Sequence, residues 1–166
     1  MREEAAKAVV EGLKLANVDF IAYMPDSDFA TAQKLVIKDG AFRCVPVCNE
    51  ATGACICAGA WLGGRKPALL IPNSGLIVAA WPLTSLCMAY EIPILLVIPY
   101  RGDIGDAFWY MGPYRYTTEP LLNMLHIPYR IVRKVEEVSS TIVDSYLSAL
   151  AWLRPVAVLL TGETIW

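Results

Sequence analysis

Glu50 is the residue of this chain whose setting most suggests chemistry. It is the sole acid between Asp39 and Glu91, and from Phe42 to Ile98 the only other charges are Arg43, Arg65, Lys66 and Glu91. It stands where an apolar strand pattern, Arg43 to Cys48, gives way to a helix of small residues, Ala51 to Leu62. A carboxylate in a first helical turn is favoured by the helix dipole, which is sufficient reason for an ordinary helix-start acid. The helix beyond is nearly all Ala, Cys, Gly and Ile, the composition of a buried element. An acid enclosed there needs a partner or a raised pKa. The residues alone leave both readings open. Gly53, Ala54, Ala58, Gly59 and Ala60 permit close approach by a second helix or a ligand.

Other chemistries lack their residues. No G-x-G-x-x-G follows the first strand, and there is no Walker loop and no G-x-S-x-G elbow. The single histidine, His126, precedes Ile127-Pro128 and reads as a helix-end residue rather than a triad base. Five cysteines are an odd count; Cys55 and Cys57, two apart on a helix, point in different directions with no histidine nearby, so no metal site is expected. Met1 to Lys7 carries no apolar run, so no export signal is expected and the thiols are read as reduced, in a cytoplasmic protein. Fourteen basic against 16 acidic residues supply no field for nucleic acid.

The elements that must hold these residues alternate. Helical patterns cover 3–16, 28–38, 51–62, 76–90, a stretch opened by Thr117 or Thr118 with Pro120 in its first turn, and 135–153. Strand patterns cover 18–24, 43–48, 68–71, 93–98, 129–132 and 156–160. Gly102 to Tyr116 reads as an aromatic loop. This alternation predicts one α/β domain over residues 1–166, a doubly wound, six-stranded parallel sheet with helices on both faces. Ligands of such sheets lie beyond the carboxyl ends of the strands. Four loops fall there: 25–28, 49–53, 73–76 and 100–106.

The chain is 56% hydrophobic and 18% charged, against about 45–50% and about 25% for an average soluble protein. A membrane or a large partner surface is implied. The uncharged run Pro67 to Tyr90 is long enough to span a bilayer. Because it contains Pro72-Asn73-Ser74-Gly75 and Pro82, it reads as strand, turn and buried helix, and no membrane is expected.

Val45-Pro46-Val47-Cys48-Asn49-Glu50, then Gly53, Ala58-Gly59-Ala60 and Gly63-Gly64, then Pro72-Asn73-Ser74-Gly75-Leu76, resemble the pyrimidine-binding (PYR) domain of thiamine diphosphate-dependent decarboxylases of the sulfopyruvate and phosphonopyruvate type. Met24-Pro25-Asp26-Ser27, Glu91-Ile92-Pro93, Arg101-Gly102 and Thr118-Glu119-Pro120 extend the likeness over nearly the whole chain. The resemblance implies that Glu50 is the catalytic carboxylate, hydrogen-bonding N1′ of the cofactor's aminopyrimidine. It implies that Gly53, Ser74, Gly75 and Leu76 line the cofactor, and that Asp26, Ser27 and Asn73 face a 2-oxo acid substrate. The diphosphate and Mg²⁺ are normally held by a PP domain bearing G-D-G and a downstream Asn. Here only Gly102-Asp103-Ile104 comes near it, so a separate PP-domain (beta) subunit and an even-numbered hetero-oligomer are implied, with no metal ligand on this chain.

The chain also departs from the family. Ala51 and Thr52 stand where acids usually follow the glutamate, and Ile77 to Pro82 replaces a polar Gly-Asn-Ser-x-Asn run. Arg101 is the one evident cation for a sulfonate or phosphonate. These departures motivate two further expectations: a larger or less polar 2-oxo acid, or a PYR-like subunit that serves assembly without catalysis.

Overall fold

The computed structural model describes residues 1–166. Six strands form one parallel sheet in the order β2-β1-β3-β4-β6-β5: β1 Phe20–Tyr23, β2 Arg43–Pro46, β3 Pro67–Leu70, β4 Leu95–Pro99, β5 Tyr129–Val132 and β6 Val156–Leu160. β3, β4 and β6 are buried throughout, as their uncharged, apolar sequences require when both sheet faces are covered.

The helices divide into two layers. α1 (Glu3–Leu15), α2 (Ala30–Lys38) and α6 (Val138–Trp152) cover one face, with Val9, Leu13, Val36, Ile142 and Tyr146 in its core. α3 (Glu50–Leu62), α4 (Leu76–Pro82) and α5 (Gly112–Met124) cover the other, with Ala54, Cys57, Leu76, Ala79 and Leu122. Right-handed crossovers force this division, since chain moves in opposite directions along the sheet place their helices on opposite faces. α1 and α6 touch closely because Gly12 has no Cβ; one built there would lie 2.9 Å from Ile142 Cβ.

The uncharged run folds as β3, a tight turn at Asn73–Gly75, α4, and wider π-type turns over Leu83–Met88. Pro82 lies where α4 gives way to the wider turns, consistent with its missing N–H and its ring. The hydroxyls of Thr84 and Ser85 donate to the carbonyls of Ala80 and Trp81 there. No helix is long and apolar enough to cross a membrane.

One helix starts earlier than its pattern suggested. α5 begins at Gly112, with Pro113 in its first turn, so the loop after β4 is shorter and Pro120 is an interior residue. Pro113 supplies the preset φ that favours a helix start. Pro120 is tolerated because it is exposed, where water can take the carbonyl that its missing N–H leaves free. His126 is exposed, in left-handed backbone at φ 53° just past the end of α5.

Candidate active site

The strand ends converge on the turn after β3. Asn49 caps α3, its Oδ1 accepting from Thr52 N–H at 2.8 Å. That cap fixes the first turn, and Glu50 on it is 9% exposed. Its carboxylate takes no hydrogen bond from a side chain, yet the one fully enclosed side-chain polar atom without a partner is Tyr146 Oη, at the opposite face. The Glu50 oxygens therefore keep an opening to the outside. Gly75 bounds the other side: a Cβ there would overlap the Glu50 carboxyl carbon and Oε1.

The turn carrying Gly75 is braced. Asn73 is 2% exposed and spends both amide protons inside the chain, on Arg101 O at 2.9 Å and Thr118 Oγ1 at 3.0 Å. Thr118 in turn donates to Tyr114 O at 2.6 Å. Ser74 is half-buried beside it. Leu76 is wholly buried in the core under α3 and α4, and Gly53 packs α3 onto the sheet, where a Cβ would lie 2.7 Å from Leu69 Cδ1. Of the residues singled out in the sequence, the fold thus brings Glu50, Asn73, Ser74 and Gly75 together, and gives Gly53 and Leu76 packing roles.

Asp26 and Ser27 lie on the loop after β1. Asp26 Oδ1 accepts from Phe29 N–H at 3.0 Å. Burial pushes its carboxyl above the usual range, a shift that the Phe29 hydrogen bond opposes and neighbouring Asp28 reinforces. Gln33 stitches the loop to the strand, donating to Met24 O at 2.7 Å and accepting from Asp26 N–H. Ser27 is exposed.

Arg101 ties the loops after β1 and β4 together. It is 6% exposed, with Nε and Nη2 on the two oxygens of Asp106 at 2.7 and 2.9 Å and Nη1 on Asp28 at 2.5 Å. Phe108 and Trp166 lie over the guanidinium, 4.9 and 5.9 Å from it. Asp103, the acid of the Gly102-Asp103 pair, is closed in by Arg115, Arg133 and Thr161. Sequence reasoning had no signal for Asp28, Thr118 or Trp166 as partners. All three lie far along the chain from the groups they meet.

Beside Glu50, the exposed side of α4 presents Ile77, Val78 and Trp81, the last 75% exposed. Their i, i+1 and i+4 spacing places them on one side of the helix. Trp109 and Tyr116 are exposed on the segment after β4. Cys55 is exposed and Cys57 buried, so these two thiols face opposite ways; Cys48 is exposed and Cys87 buried.

No protein-family model matches the chain. A sulfopyruvate decarboxylase subunit alpha from Methanococcus maripaludis is 35% identical over 156 residues, 94% of this chain and 93% of that one. A phosphonopyruvate decarboxylase from Streptomyces viridochromogenes is 37% identical over 101 residues, which are 61% of this chain and 25% of that longer one. Among solved structures, a 2-oxoglutarate:ferredoxin oxidoreductase from Magnetococcus marinus superposes with a TM-score of 0.71 at 21% identity, over 100% of this chain and 30% of its own. That likeness establishes the fold. The identity sustained along nearly the full length of both chains establishes more: this chain belongs to the family of sulfopyruvate decarboxylase alpha subunits, a family of decarboxylase subunits.

Proposed function

We propose that this chain is the pyrimidine-binding subunit of a two-chain, thiamine diphosphate-dependent 2-oxo acid decarboxylase. The observation that carries the reading is Glu50. This carboxylate is nine-tenths buried, has no side-chain donor from its own chain and keeps access to the outside, so it is free to meet a heterocycle with a basic ring nitrogen. Glu50 would exchange a proton with N1′ of the aminopyrimidine, and its enclosure strengthens that hydrogen bond. Ser74 and the Gly75 backbone would border the ring. When bound, thiamine diphosphate supplies the carbanion and the electron sink that make loss of CO₂ from a 2-oxo acid feasible.

The residues present suit the pyrimidine end of that cofactor and not its diphosphate. Asp103 is occupied by two arginines, and no group of three His, Cys, Asp or Glu side chains is arranged to hold a metal ion. In this reading a partner PP-domain subunit would hold Mg²⁺ and the diphosphate. The apolar side of α4 next to the turn is the surface such an obligate partner would cover, in an assembly of even number.

The substrate reading follows from charge. Arg101 has its nitrogens committed to Asp28 and Asp106, so it is not free to bind a sulfonate. If the substrate carries a second anion, the partner supplies the cation. If it does not, a less polar 2-oxo acid is the substrate. Kinetics with sulfopyruvate and with apolar 2-oxo acids separate these two cases.

The test of the main reading is titration of thiamine diphosphate and Mg²⁺ into this chain alone and into its complex with a co-expressed PP-domain partner. Binding by the complex only, followed by 2-oxo acid turnover, is the expected result. Tight binding by the single chain overturns it.

A further inference from the structure

Gly75 combines two observations that belong together. Its backbone is ordinary right-handed, φ −83° and ψ −7°, a conformation open to any L-residue. The turn therefore does not require glycine. Yet a Cβ at this position would collide, and its three nearest atoms all belong to one side chain: Glu50 Cδ, Oε1 and Cγ. The nearest obstacle to a side chain at position 75 is the outer half of the Glu50 side chain.

That obstacle is the free end of a flexible side chain. An alanine at 75 would leave the turn in place, held as it is by Asn73 on Arg101 O and Thr118 Oγ1. What would move is Glu50. We infer that Gly75 is a positioning residue: the missing Cβ is the slot in which the Glu50 carboxylate rests, and it sets where that carboxylate meets its reaction partner. The inference rests on Glu50 being the cofactor-facing acid and adds what holds it in place.

Variants of the assembled enzyme at positions 75 and 50 test it. Misplacing a reacting group by about 1 Å costs on the order of 100-fold in rate. Gly75→Ala should lower kcat on that scale, while the melting temperature of this chain stays within about 3 °C of the native value. Glu50→Ala removes Cγ, Cδ and Oε1, the three atoms that the new methyl group would meet first. In that background Gly75→Ala should leave the thiamine diphosphate affinity of the complex within about threefold. The crystal structure of Gly75→Ala should show the turn unmoved and the Glu50 carboxylate displaced.

If Gly75→Ala weakens thiamine diphosphate binding in the Glu50→Ala complex as well, the new methyl group obstructs the ligand itself and the positioning role is wrong. A native kcat for Gly75→Ala, or a Glu50 carboxylate that has not moved, overturns it as well. A large melting shift that persists when Glu50 is replaced by Ala would mean the glycine serves the turn, again against the inference. Glu50→Gln, assayed beside these, separates the two levels. Near-native turnover there sinks the role of Glu50, whereas an inactive Glu50→Gln with a fully active Gly75→Ala sinks only the role of Gly75.

Discussion

Arg101 and Asp106 meet as two parallel forks, guanidinium Nε on Oδ2 at 2.7 Å and Nη2 on Oδ1 at 2.9 Å, with both side chains almost fully enclosed. Asp28 closes the remaining side. Removing the cation would strand the enclosed Asp106 carboxylate and leave the partly exposed Asp28 unpaired, and breaking a buried pair typically costs about 3–5 kcal/mol. Arg101→Met is expected to destabilise the chain by about 3 kcal/mol in urea unfolding. Arg101→Lys should recover only part of this, because a point ammonium does not match the fork. Native stability in Arg101→Met would show that the cluster contributes nothing to the fold.

The same pair makes stability depend on acid. The Arg101 hydrogen bonds, opposed by burial, hold the Asp106 carboxyl at about 2. Unfolded, it titrates near the ordinary value of about 3.9. A group depressed on folding stabilises the native state above its unfolded pKa and loses that contribution as pH falls through the folded one. Native protein should therefore exceed Asp106→Asn in stability at pH 5, and the gap should close between about pH 4 and about pH 2. Urea unfolding of both proteins at stepped pH measures it; a gap that stays constant would refute the assignment.

Glu50→Gln keeps the shape of the side chain and removes its charge. The chain should fold as before, since Glu50 makes no ion pair within it. Turnover of a 2-oxo acid by the complex should fall by about 100-fold or more, the usual scale for loss of a positioned proton-transfer group. Retention of near-normal rates with cofactor bound would favour the assembly-subunit reading raised by the Ile77 to Pro82 run.

Trp81 stands almost free on α4. Trp81→Glu should leave the melting temperature of this chain nearly unchanged, because exposed substitutions usually move stability by less than about 0.5 kcal/mol. It should abolish co-purification with the partner subunit. Undiminished assembly would place the interface elsewhere.

Much of this molecule was legible from local pattern. The six strand segments fall where short Val, Leu and Ile runs lie between turn residues, and α1 and α6 follow their apolar stripes. Glu50 stood out because charge is so sparse around it. The start of α5 is not legible locally, because two prolines, Pro113 and Pro120, compete as first-turn markers and no local rule chooses between them. Exposure of Pro120 settles the matter, and exposure is not a local property.

Pairing across the fold was decided only in three dimensions. Arg101 and Asp28 are 73 residues apart and meet because the ends of β1 and β4 converge at one edge of the sheet. Glu50 and Gly75 meet because α3 runs back from the end of β2, and β3, parallel to β2, returns the chain to the same edge of the sheet, beside the start of α3. Periodicity and composition record how each segment is buried, which the sequence by itself determined. They carry no information on strand order, and strand order selects which buried charges become neighbours; that Arg101 is neutralised by Asp28 and Asp106 while Glu50 takes no ion pair was the decision of the tertiary structure.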